Sequence, residues 1–193
     1  MMKKVLKIMS VLLAVAVITV SFAACSGGNT QAVKVININL SDEEYALGVD
    51  KNQPELLEEA NALIAEIKEN GTLDEICNHY FGDGTPVGVE SATLDTSKDQ
   101  LVVATNAEFE PFEYKDGNTF YGIDMEIAKL LADRLGQELV IQDMNFDAVV
   151  LSVQQQKCDI AMAGLTVSEE RAKQVNFTES YYEASQRLIV KRR

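Results

Sequence analysis

Short apolar runs alternate along this chain with longer stretches in which apolar residues recur every three or four positions. The short runs are typical of buried strands and the longer stretches of amphipathic helices. The predicted strands are Glu44–Val49, Leu101–Thr105, Glu138–Gln142, Asp159–Met162 and Arg187–Lys191. The predicted helices are Pro54–Asn70, Thr72–Tyr80, Ile123–Leu135, Phe146–Gln156 and Ser168–Gln174. This alternation predicts an α/β fold with a mainly parallel sheet flanked by helices.

The ends of the helices are marked by residues with strong positional preferences. Pro54 suits the first turn of a helix, and Gly71 and Gly136 directly follow predicted helix ends. Thr72 and Glu75 are three residues apart, which predicts a capping box at the start of the second helix.

A stretch without apolar periodicity separates two parts of the chain. Residues 84–100 are rich in Gly, Ser, Thr and Asp, as is typical of a flexible linker. The chain therefore divides into residues 33–83 and residues 101–193. With 193 residues, 47% of them hydrophobic, it is long enough for one domain with a proper core but short for two lobes.

The most informative local pattern is a predicted strand-to-helix turn around Gly164. The apolar run Ile160–Ala163 leads to Gly164, where a backbone without a side chain can approach a ligand closely. Ser168 is placed to cap the next helix, and Arg171 lies in the first turn of that helix. Free backbone N–H groups at such a turn, together with a guanidinium, predict a binding site for a small carboxylate.

Seven motifs within residues 101–193 occur in the order and at the spacing of one protein family. They are LVVATN (101–106), EPFEY (110–114), YGID (121–124), MNFD (144–147), AGLT (163–166), ERA (170–172) and VNFTESYY (175–182). On these motifs the segment resembles the first lobe of the family 3 extracytoplasmic solute-binding proteins, the polar amino-acid receptors of ABC importers. The resemblance implies a periplasmic-binding-protein-like lobe whose ligand is a free amino acid.

The preceding segment resembles the end of the same family's domain. Its motifs are LSDEEYALGV (40–49), NQPEL (52–56), ENGTLDEI (69–76) and YFG (80–82). In the family this segment follows the second lobe, whereas here it comes first. The resemblance therefore implies a single lobe in circularly permuted order, with residues 33–83 as its C-terminal segment, residues 101–193 as its N-terminal segment, and the second lobe missing.

The resemblance also implies a set of ligand-binding residues. They are Asn106, Phe109, Phe146, Ala163, Gly164, Thr166 and Arg171. Arg171 would bind the α-carboxylate of the ligand, with further hydrogen bonds from Gly164 and Thr166. The alternative for Arg171 is an ordinary surface arginine that pairs with Glu169 or Asp147.

Three of these residues bear on the rest of the ligand. By the resemblance Phe109 and Phe146 flank the ligand, although at helical spacing both also fit a plain core position. Asn106 either faces the ligand side chain or only caps a turn. Because several relatives carry an acidic residue where this chain has the uncharged Asn106, a neutral polar amino acid such as glutamine is favoured. The nearby carboxylate of Glu108 would instead restore a preference for a cation.

Residues 1–24 have the pattern of a secretion signal. A basic start precedes the apolar run Ile8–Val20, which is short for a membrane span, and Ala23 and Ala24 stand directly before Cys25. This arrangement resembles a bacterial lipobox, so Cys25 is the predicted lipidation site, residues 25–32 are a tether, and the protein is expected on the extracytoplasmic face of the cell membrane. The alternative is ordinary signal-peptide cleavage nearby.

Charge and composition exclude several functions. The net charge of −13 would become −16 on removal of a leader with three lysines, which argues against nucleic-acid binding. The lone His79, expected on the surface of a helix, has no partners at metal-ligand spacing, so neither a metal nor a cofactor is predicted. No enzyme is predicted, because no group is placed for acid–base chemistry. Cys77 and Cys158 form a disulfide or stay free, and free thiols are favoured.

The importer interpretation predicts a polar amino acid, an ABC permease and, through the lipid anchor, the membrane as partners. Because a lobe is missing, a second lobe from another chain or a homodimer is also expected. Strands at residues 33–38 and 187–191 would lack a partner within the chain and could mediate that contact. The other interpretation is an interaction or sensor module that does not bind ligand, or a truncated receptor remnant.

Overall fold

A computed structural model describes residues 33–191 as an α/β fold with five helices. The helices are α1 (Pro54–Glu69), α2 (Thr72–Phe81), α3 (Ile123–Leu135), α4 (Phe146–Gln154) and α5 (Glu169–Ala172). The strands are β1 (Val33–Tyr45), β2 (Gly48–Val49), β3 (Gln100–Thr105), β4 (Glu108–Phe109), β5 (Glu113–Asp116), β6 (Thr119–Tyr121), β7 (Glu138–Asp143), β8 (Ile160–Ala161), β9 (Asn176–Phe177) and β10 (Tyr182–Lys191). The predicted leader, tether and lipidation site Cys25 lie outside the described residues.

The central sheet has five strands in the order β7-β3-β8-β2-β9. Strand β3 is parallel to both β7 and β8, as predicted. Strand β2 instead runs antiparallel to β8 and to β9, so the sheet is mixed rather than mainly parallel. The direction of β2 was not predicted because β2 comes from the front of the chain. A crossover helix that joins two neighbouring strands makes them parallel, and no such helix joins β2 directly to β8 or β9.

The front segment and residues 101–193 share one hydrophobic core. Leu47 and Val49, on either side of the β2 start, are fully buried, and Ile64 of α1 is 1% exposed. They belong to the same buried cluster as Val103 of β3 and Ile127 of α3. Each fully buried side chain of this size contributes about 1.5–3 kcal/mol, so neither segment has a complete core without the other.

The helix ends show where local sequence was informative. Helix α1 begins at Pro54, and α3 ends at Leu135 with Gly136 as its C-cap, at the left-handed φ of 71°. The predicted capping box at α2 is wrong. Its N-cap is Gly71, whose carbonyl accepts the N–H of Glu75, and Thr72 lies inside the helix with its N–H donating to the Asn70 side chain.

Helix α2 is joined to α3 by a polar cluster. The Nδ1 atom of His79 lies 3.1 Å from both carboxylate oxygens of Glu126, and the hydroxyl of Tyr80 donates to Glu126 at 2.6 Å. The His79 side chain is 19% exposed, so the expectation of a plain surface residue is wrong. Within residues 33–191, no group of three or more His, Cys, Asp or Glu side chains is placed to hold a metal ion.

Residues 84–100 contain no helix and only the first residue of β3, but they pack against the domain and form hydrogen bonds with it. Val89 is 3% exposed and exchanges two backbone hydrogen bonds with Phe120. Further along, the N–H of Ala92 donates to Leu139 at 2.8 Å, and the Ser91 hydroxyl accepts the N–H of Ile141. Composition indicated a flexible connection and did not predict these anchors.

The three-stranded antiparallel sheet β4-β5-β6 was not predicted. Its strands have only two to four residues, too few to show a clear alternation of polar and apolar positions. Helix α4 ends at Gln154, two residues earlier than predicted, because Gln156 adopts a positive φ of 58°. The Cys77 and Cys158 thiols are free, as favoured from the sequence.

The described chain divides into a larger unit, Asn39–Gln186, and a smaller one made of residues 33–38 and 187–191. The smaller unit consists of the outer parts of β1 and β10, which pair with each other. The prediction that these strands have no partner within the chain is therefore wrong. Their side chains remain exposed, as Ile38 (60%) and Ile189 (62%) show. Among residues 33–191, no helix is long and apolar enough to cross a membrane.

Candidate functional site

The loops that carry the predicted site residues meet at one edge of the central sheet. Strands β3, β7 and β8 are parallel, so their carboxyl ends lie together. Backbone hydrogen bonds hold the loops there. The N–H of Met144 donates to the carbonyl of Thr105, and the N–H of Met162 donates to that of Ala104, each at 2.9 Å.

Arg171 is held at this edge by a short helix. The hydroxyl of Ser168, the N-cap of α5, accepts the Arg171 N–H at 3.2 Å, which confirms the predicted cap. The guanidinium donates through Nη1 to the carbonyl of Thr166 at 2.9 Å and lies over the Phe146 ring, 5.2 Å from its centroid. This contact leaves further guanidinium donors for a ligand, since arginine has five N–H groups.

The alternative of a surface ion pair for Arg171 is not present. Within residues 33–191, no carboxylate lies within 4.0 Å of its guanidinium, so it pairs with neither Glu169 nor Asp147. A half-buried guanidinium without a counter-ion is suited to bind an anion.

Gly164 allows a close approach between two parts of the site. Its φ is +51°, and a Cβ atom there would come within 2.8 Å of the Phe109 ring. The Gly164 N–H donates to Oδ2 of the fully buried Asp124 at 2.9 Å, so this N–H is not free for a ligand, contrary to the prediction. Ala163 is 1% exposed and can offer a ligand only backbone atoms.

Thr166 carries the backbone N–H that remains available. It pairs in an isolated antiparallel bridge with Tyr45, in which the flanking residues form the hydrogen bonds. Among residues 33–191 no acceptor is found for the Thr166 N–H. The Thr166 hydroxyl donates to Oε2 of Glu43, on β1, at 3.4 Å. Glu43 was not among the predicted site residues, because it lies more than 100 positions away in the chain.

Two aromatic rings of the predicted site face solvent. Phe109 is 43% exposed and Phe146 is 38% exposed, so neither occupies a core position. Phe109 stacks on Phe112 with ring centroids 5.5 Å apart, and Phe112 packs edge-on against Tyr45 at 5.0 Å. Phe109 is thus backed by buried aromatic rings and presents its other surface outward.

Asn106 ties two of the loops together. Its Nδ2 donates to the carbonyl of Met144 at 2.9 Å, which links the end of β3 to the loop after β7. The amide orientation that makes this bond leaves Oδ1 as the atom that can meet a ligand, and Oδ1 is an acceptor. Asn106 therefore combines the turn-forming role with an unused acceptor.

A surface depression of about 510 Å³ lies beside Arg171. It is lined by Phe146, Asp147, Val150, Leu151, Leu165, Thr166, Ser168, Glu170, Arg171 and Gln174. Asn106, Phe109 and Gly164 do not line it. A larger depression of about 830 Å³ lies at the amino end of β3, the end away from Arg171.

Asp124, which contacts the turn, and the neighbouring Glu113 are two buried carboxyl groups that were not predicted as functional. Glu113 is fully buried and both of its carboxyl oxygens lack a hydrogen-bond partner among residues 33–191. Burial, and then the neighbouring charge of Asp124, hold the pKa of Glu113 far above its usual range. Asp124 is also buried, but it accepts hydrogen bonds from the Gly164 N–H and the Tyr181 hydroxyl. The pair therefore carries its proton on Glu113 and its charge on Asp124.

Comparison with known proteins assigns the second half of the chain. A family model described as bacterial extracellular solute-binding proteins, family 3, matches residues 101–193. The arginine-binding extracellular protein ArtP of Bacillus subtilis is 35% identical over 108 residues, 56% of this chain and 42% of that protein. ABC transporter arginine-binding protein 1 of Escherichia coli is 31% identical over 98 residues, 50% of this chain and 40% of that protein.

A solved structure, an ancestral arginine-binding protein bound to glutamine, is 40% identical, with a TM-score of 0.42 over 44% of this chain and 38% of that one. The chain thus spans about two fifths of the length of the relatives it matches. The matched proteins are extracytoplasmic binding proteins rather than enzymes, as predicted, and they are named as amino-acid-binding or transporter components. Residues 101–193 of this chain thus match the bacterial extracellular solute-binding proteins of family 3.

Proposed function

We propose that this chain is the amino-acid-binding component of an ABC importer, anchored by lipid at Cys25 on the extracytoplasmic face of the membrane. The observation that carries the proposal is a guanidinium without a counter-ion, Arg171, held beside the unpaired backbone N–H of Thr166. Two donors on neighbouring groups match the two oxygens of an α-carboxylate.

The same geometry sets the expected strength of binding. The carboxylate would lie at a half-open surface with Phe109 and Phe146 exposed on either side, so water screens the ion pair. An exposed ion pair contributes about 0–1 kcal/mol, and a millimolar dissociation constant corresponds to about −4.1 kcal/mol. We therefore expect millimolar affinity from the isolated chain and tighter binding where a second lobe, from another chain or from a homodimer, covers the ligand.

The ligand side chain is chosen by Asn106 in this proposal. Because Oδ1 is the free atom of its amide, it accepts a hydrogen bond and suits a ligand side chain with N–H donors. Glutamine has such donors without a charge and is the ligand that Asn106 favours. Arginine, the amino acid in the names of two relatives, has them too, and the exposed carboxylate of Glu108 on β4 would favour it.

The permuted order of the lobe is part of the proposal. It is supported by the place of β2, which comes from the front segment yet lies between β8 and β9 in the central sheet. It is also supported by the core that β2 and α1 share with β3 and α3. The ABC permease as partner rests on the relatives that are named transporter proteins.

Titration calorimetry of the chain from residue 26 with L-glutamine, L-arginine, L-histidine and L-lysine tests the proposal. We expect heat from at least one amino acid, and loss of binding in Arg171→Ala. Lys173→Ala is the matched control, because Lys173 is an exposed cation two residues away. Arg171→Lys keeps the charge but not the paired donors, so we expect it to bind at least threefold more weakly than the wild type.

No binding of any of the four amino acids up to 20 mM, about twenty times a millimolar dissociation constant, would reject the receptor proposal for the chain alone. Equal losses in Arg171→Ala and Lys173→Ala would reject Arg171 as the carboxylate-binding residue. If none of the four amino acids binds, an interaction or sensor module becomes the better interpretation of the chain.

A further inference from the structure

Residues 33–38 of β1 and 187–191 of β10 form a two-stranded unit, the ribbon, that is exposed on both faces. Side chains alternate along a strand, so Val35 and Ile38 of β1 point to opposite faces. Val35 is 52% exposed and Ile38 is 60% exposed, and on the other strand Ile189 is 62% exposed. A two-stranded sheet with no layer packed on it is only marginally stable in water. The ribbon is therefore suited to be covered by another surface.

The ribbon combines aliphatic and cationic side chains and has no acidic one. Its cations are Lys34, Arg187 and Lys191, and Asn37 is its only residue that is neither aliphatic nor cationic. No carboxylate of the described residues lies within 4.0 Å of these three cations. Residues 39–186, in contrast, contain all 30 acidic residues of the chain and only nine of its 17 Lys and Arg residues. The ribbon is thus a basic segment of an acidic protein.

Charge indicates which surface fits the ribbon. A second copy of the ribbon would bring like charges together, which disfavours that contact. An anionic lipid surface attracts Lys and Arg side chains, and the boundary of its acyl chains accepts aliphatic ones. Salt screens charges that are farther apart than the Debye length, about 8 Å at physiological ionic strength, so the sign of the charge next to the lipid decides the attraction.

The predicted lipid anchor would keep the ribbon near such a surface. Cys25 precedes Val33, the first residue of β1, by eight positions. Eight fully extended residues span at most about 26–29 Å. This reach is about the thickness of the hydrocarbon core of a bilayer, roughly 30 Å. The start of the ribbon cannot leave the neighbourhood of the membrane while the anchor is inserted.

We propose that the ribbon docks on the anionic lipid surface of the membrane that holds the anchor. Its cations would contact the headgroups, and its aliphatic side chains would contact the boundary of the acyl chains. This inference rests on the lipid anchor of the proposed function, but not on amino-acid binding. It assigns a role to a segment that contributes no residue to the candidate site.

Sedimentation of the unacylated chain from residue 26 with lipid vesicles tests the ribbon without the anchor. The vesicles consist of phosphatidylcholine alone or contain about one third phosphatidylglycerol, which is anionic. We expect at least tenfold tighter binding to the anionic vesicles. Raising the salt from about 0.1 M to about 1 M shortens the Debye length from about 10 Å to about 3 Å and should abolish this binding.

Two triple variants test the cations. Replacing Lys34, Arg187 and Lys191 together by Gln should weaken binding to the anionic vesicles about a hundredfold, because each cation near such a surface strengthens binding about fivefold. The matched control variant removes three exposed cations from residues 39–186 and should bind like the wild type. Its substitutions are Lys115→Gln, Lys157→Gln and Lys173→Gln.

A fluorescence measurement tests the aliphatic contacts. The chain has no Trp, so Ile38→Trp introduces a single reporter into the ribbon. Its emission should shift to shorter wavelength on the anionic vesicles, as expected for a ring that leaves water. Leu94→Trp is the control, because Leu94 is also exposed, at 46%, but lies outside the ribbon, and its emission should not shift.

Thermal melting first shows that each variant is folded. Equal binding to both kinds of vesicle, or full binding by the triple variant of the ribbon, would overturn the inference. A dimer that forms through the ribbon without vesicle binding would identify a second copy as its partner and would also overturn it. The mass of the chain extracted from cell membranes reports separately whether Cys25 is acylated. An unmodified Cys25 would remove the anchor and this inference together, whereas an acylated chain whose ribbon binds no vesicles would remove this inference alone.

Discussion

Replacing Glu113 with glutamine should remove a large part of the pH dependence of folding. Glu113 is fully buried, neither of its oxygens has a hydrogen-bond partner in residues 33–191, and the charge of Asp124 lies nearby. Burial first, and that charge second, raise its pKa in the folded state, so it stays protonated well above neutral pH. Glutamine has nearly the same shape but does not titrate.

The size of the effect follows from proton linkage. In the unfolded chain a glutamate titrates near pH 4.3, so between pH 5 and pH 7 unfolding releases about one proton from Glu113. A raised folded-state pKa stabilises the protein most below the unfolded-state value, and this contribution is lost as the pH rises. The slope is about 1.4 kcal/mol per pH unit, or about 2.6 kcal/mol over these two units.

Urea unfolding followed by far-ultraviolet circular dichroism at pH 5, 6 and 7 measures this difference. We expect the stability of Glu113→Gln relative to the wild type to increase by about 2.6 kcal/mol from pH 5 to pH 7. Glu108→Gln, in the same region but exposed on β4, is the control and should follow the wild type at each pH. A difference between Glu113→Gln and the wild type that stays constant over this range would refute a protonated Glu113.

Two further predictions concern the core and the turn. Leu47→Ala should lower the free energy of unfolding by about 2–5 kcal/mol, because Leu47 is fully buried. Leu40→Ala, exposed on β1, is the control and should change it little. Unfolding of Leu47→Ala in two separate transitions would contradict a shared core. Gly164→Ala should lower the midpoint of thermal unfolding more than Gly117→Ala. Both glycines have a positive φ, but only at Gly164 would a Cβ atom meet the Phe109 ring. Equal midpoints for the two variants would contradict this contact.

The sequence predicted those features of the fold that depend on neighbouring residues. Helix α3 has the bounds expected from its apolar spacing and from Gly136, and Ser168 caps α5 as expected. The capping box at Thr72 failed although its residues are present, since Asn70 and Gly71 supply the cap one position earlier. Two overlapping cap patterns are equally good locally, and the path of the chain between α1 and α2 decides between them.

Features that depend on distant residues were predicted poorly. The antiparallel direction of β2 was missed because strand direction depends on how β1 enters the domain rather than on the composition of β2. The Gly164 N–H was expected to be free, and the structure shows it bonded to Asp124, 40 positions earlier. Residues 84–100 have the composition of a linker, yet Val89 is buried against Phe120.

The α/β class, the strand-to-helix turn at Gly164 and the place of Arg171 in the following helix were predictable from the amino-acid sequence. These features depend on the conformational propensities and the spacing of residues that lie close together in the chain. Three features became visible only in the folded chain: which donors stay unpaired at that turn, the contact of Glu43 with Thr166, and the shared buried environment of Glu113 and Asp124. Hydrogen-bond satisfaction and desolvation depend on what packs around a group, and packing brings together residues from the whole chain.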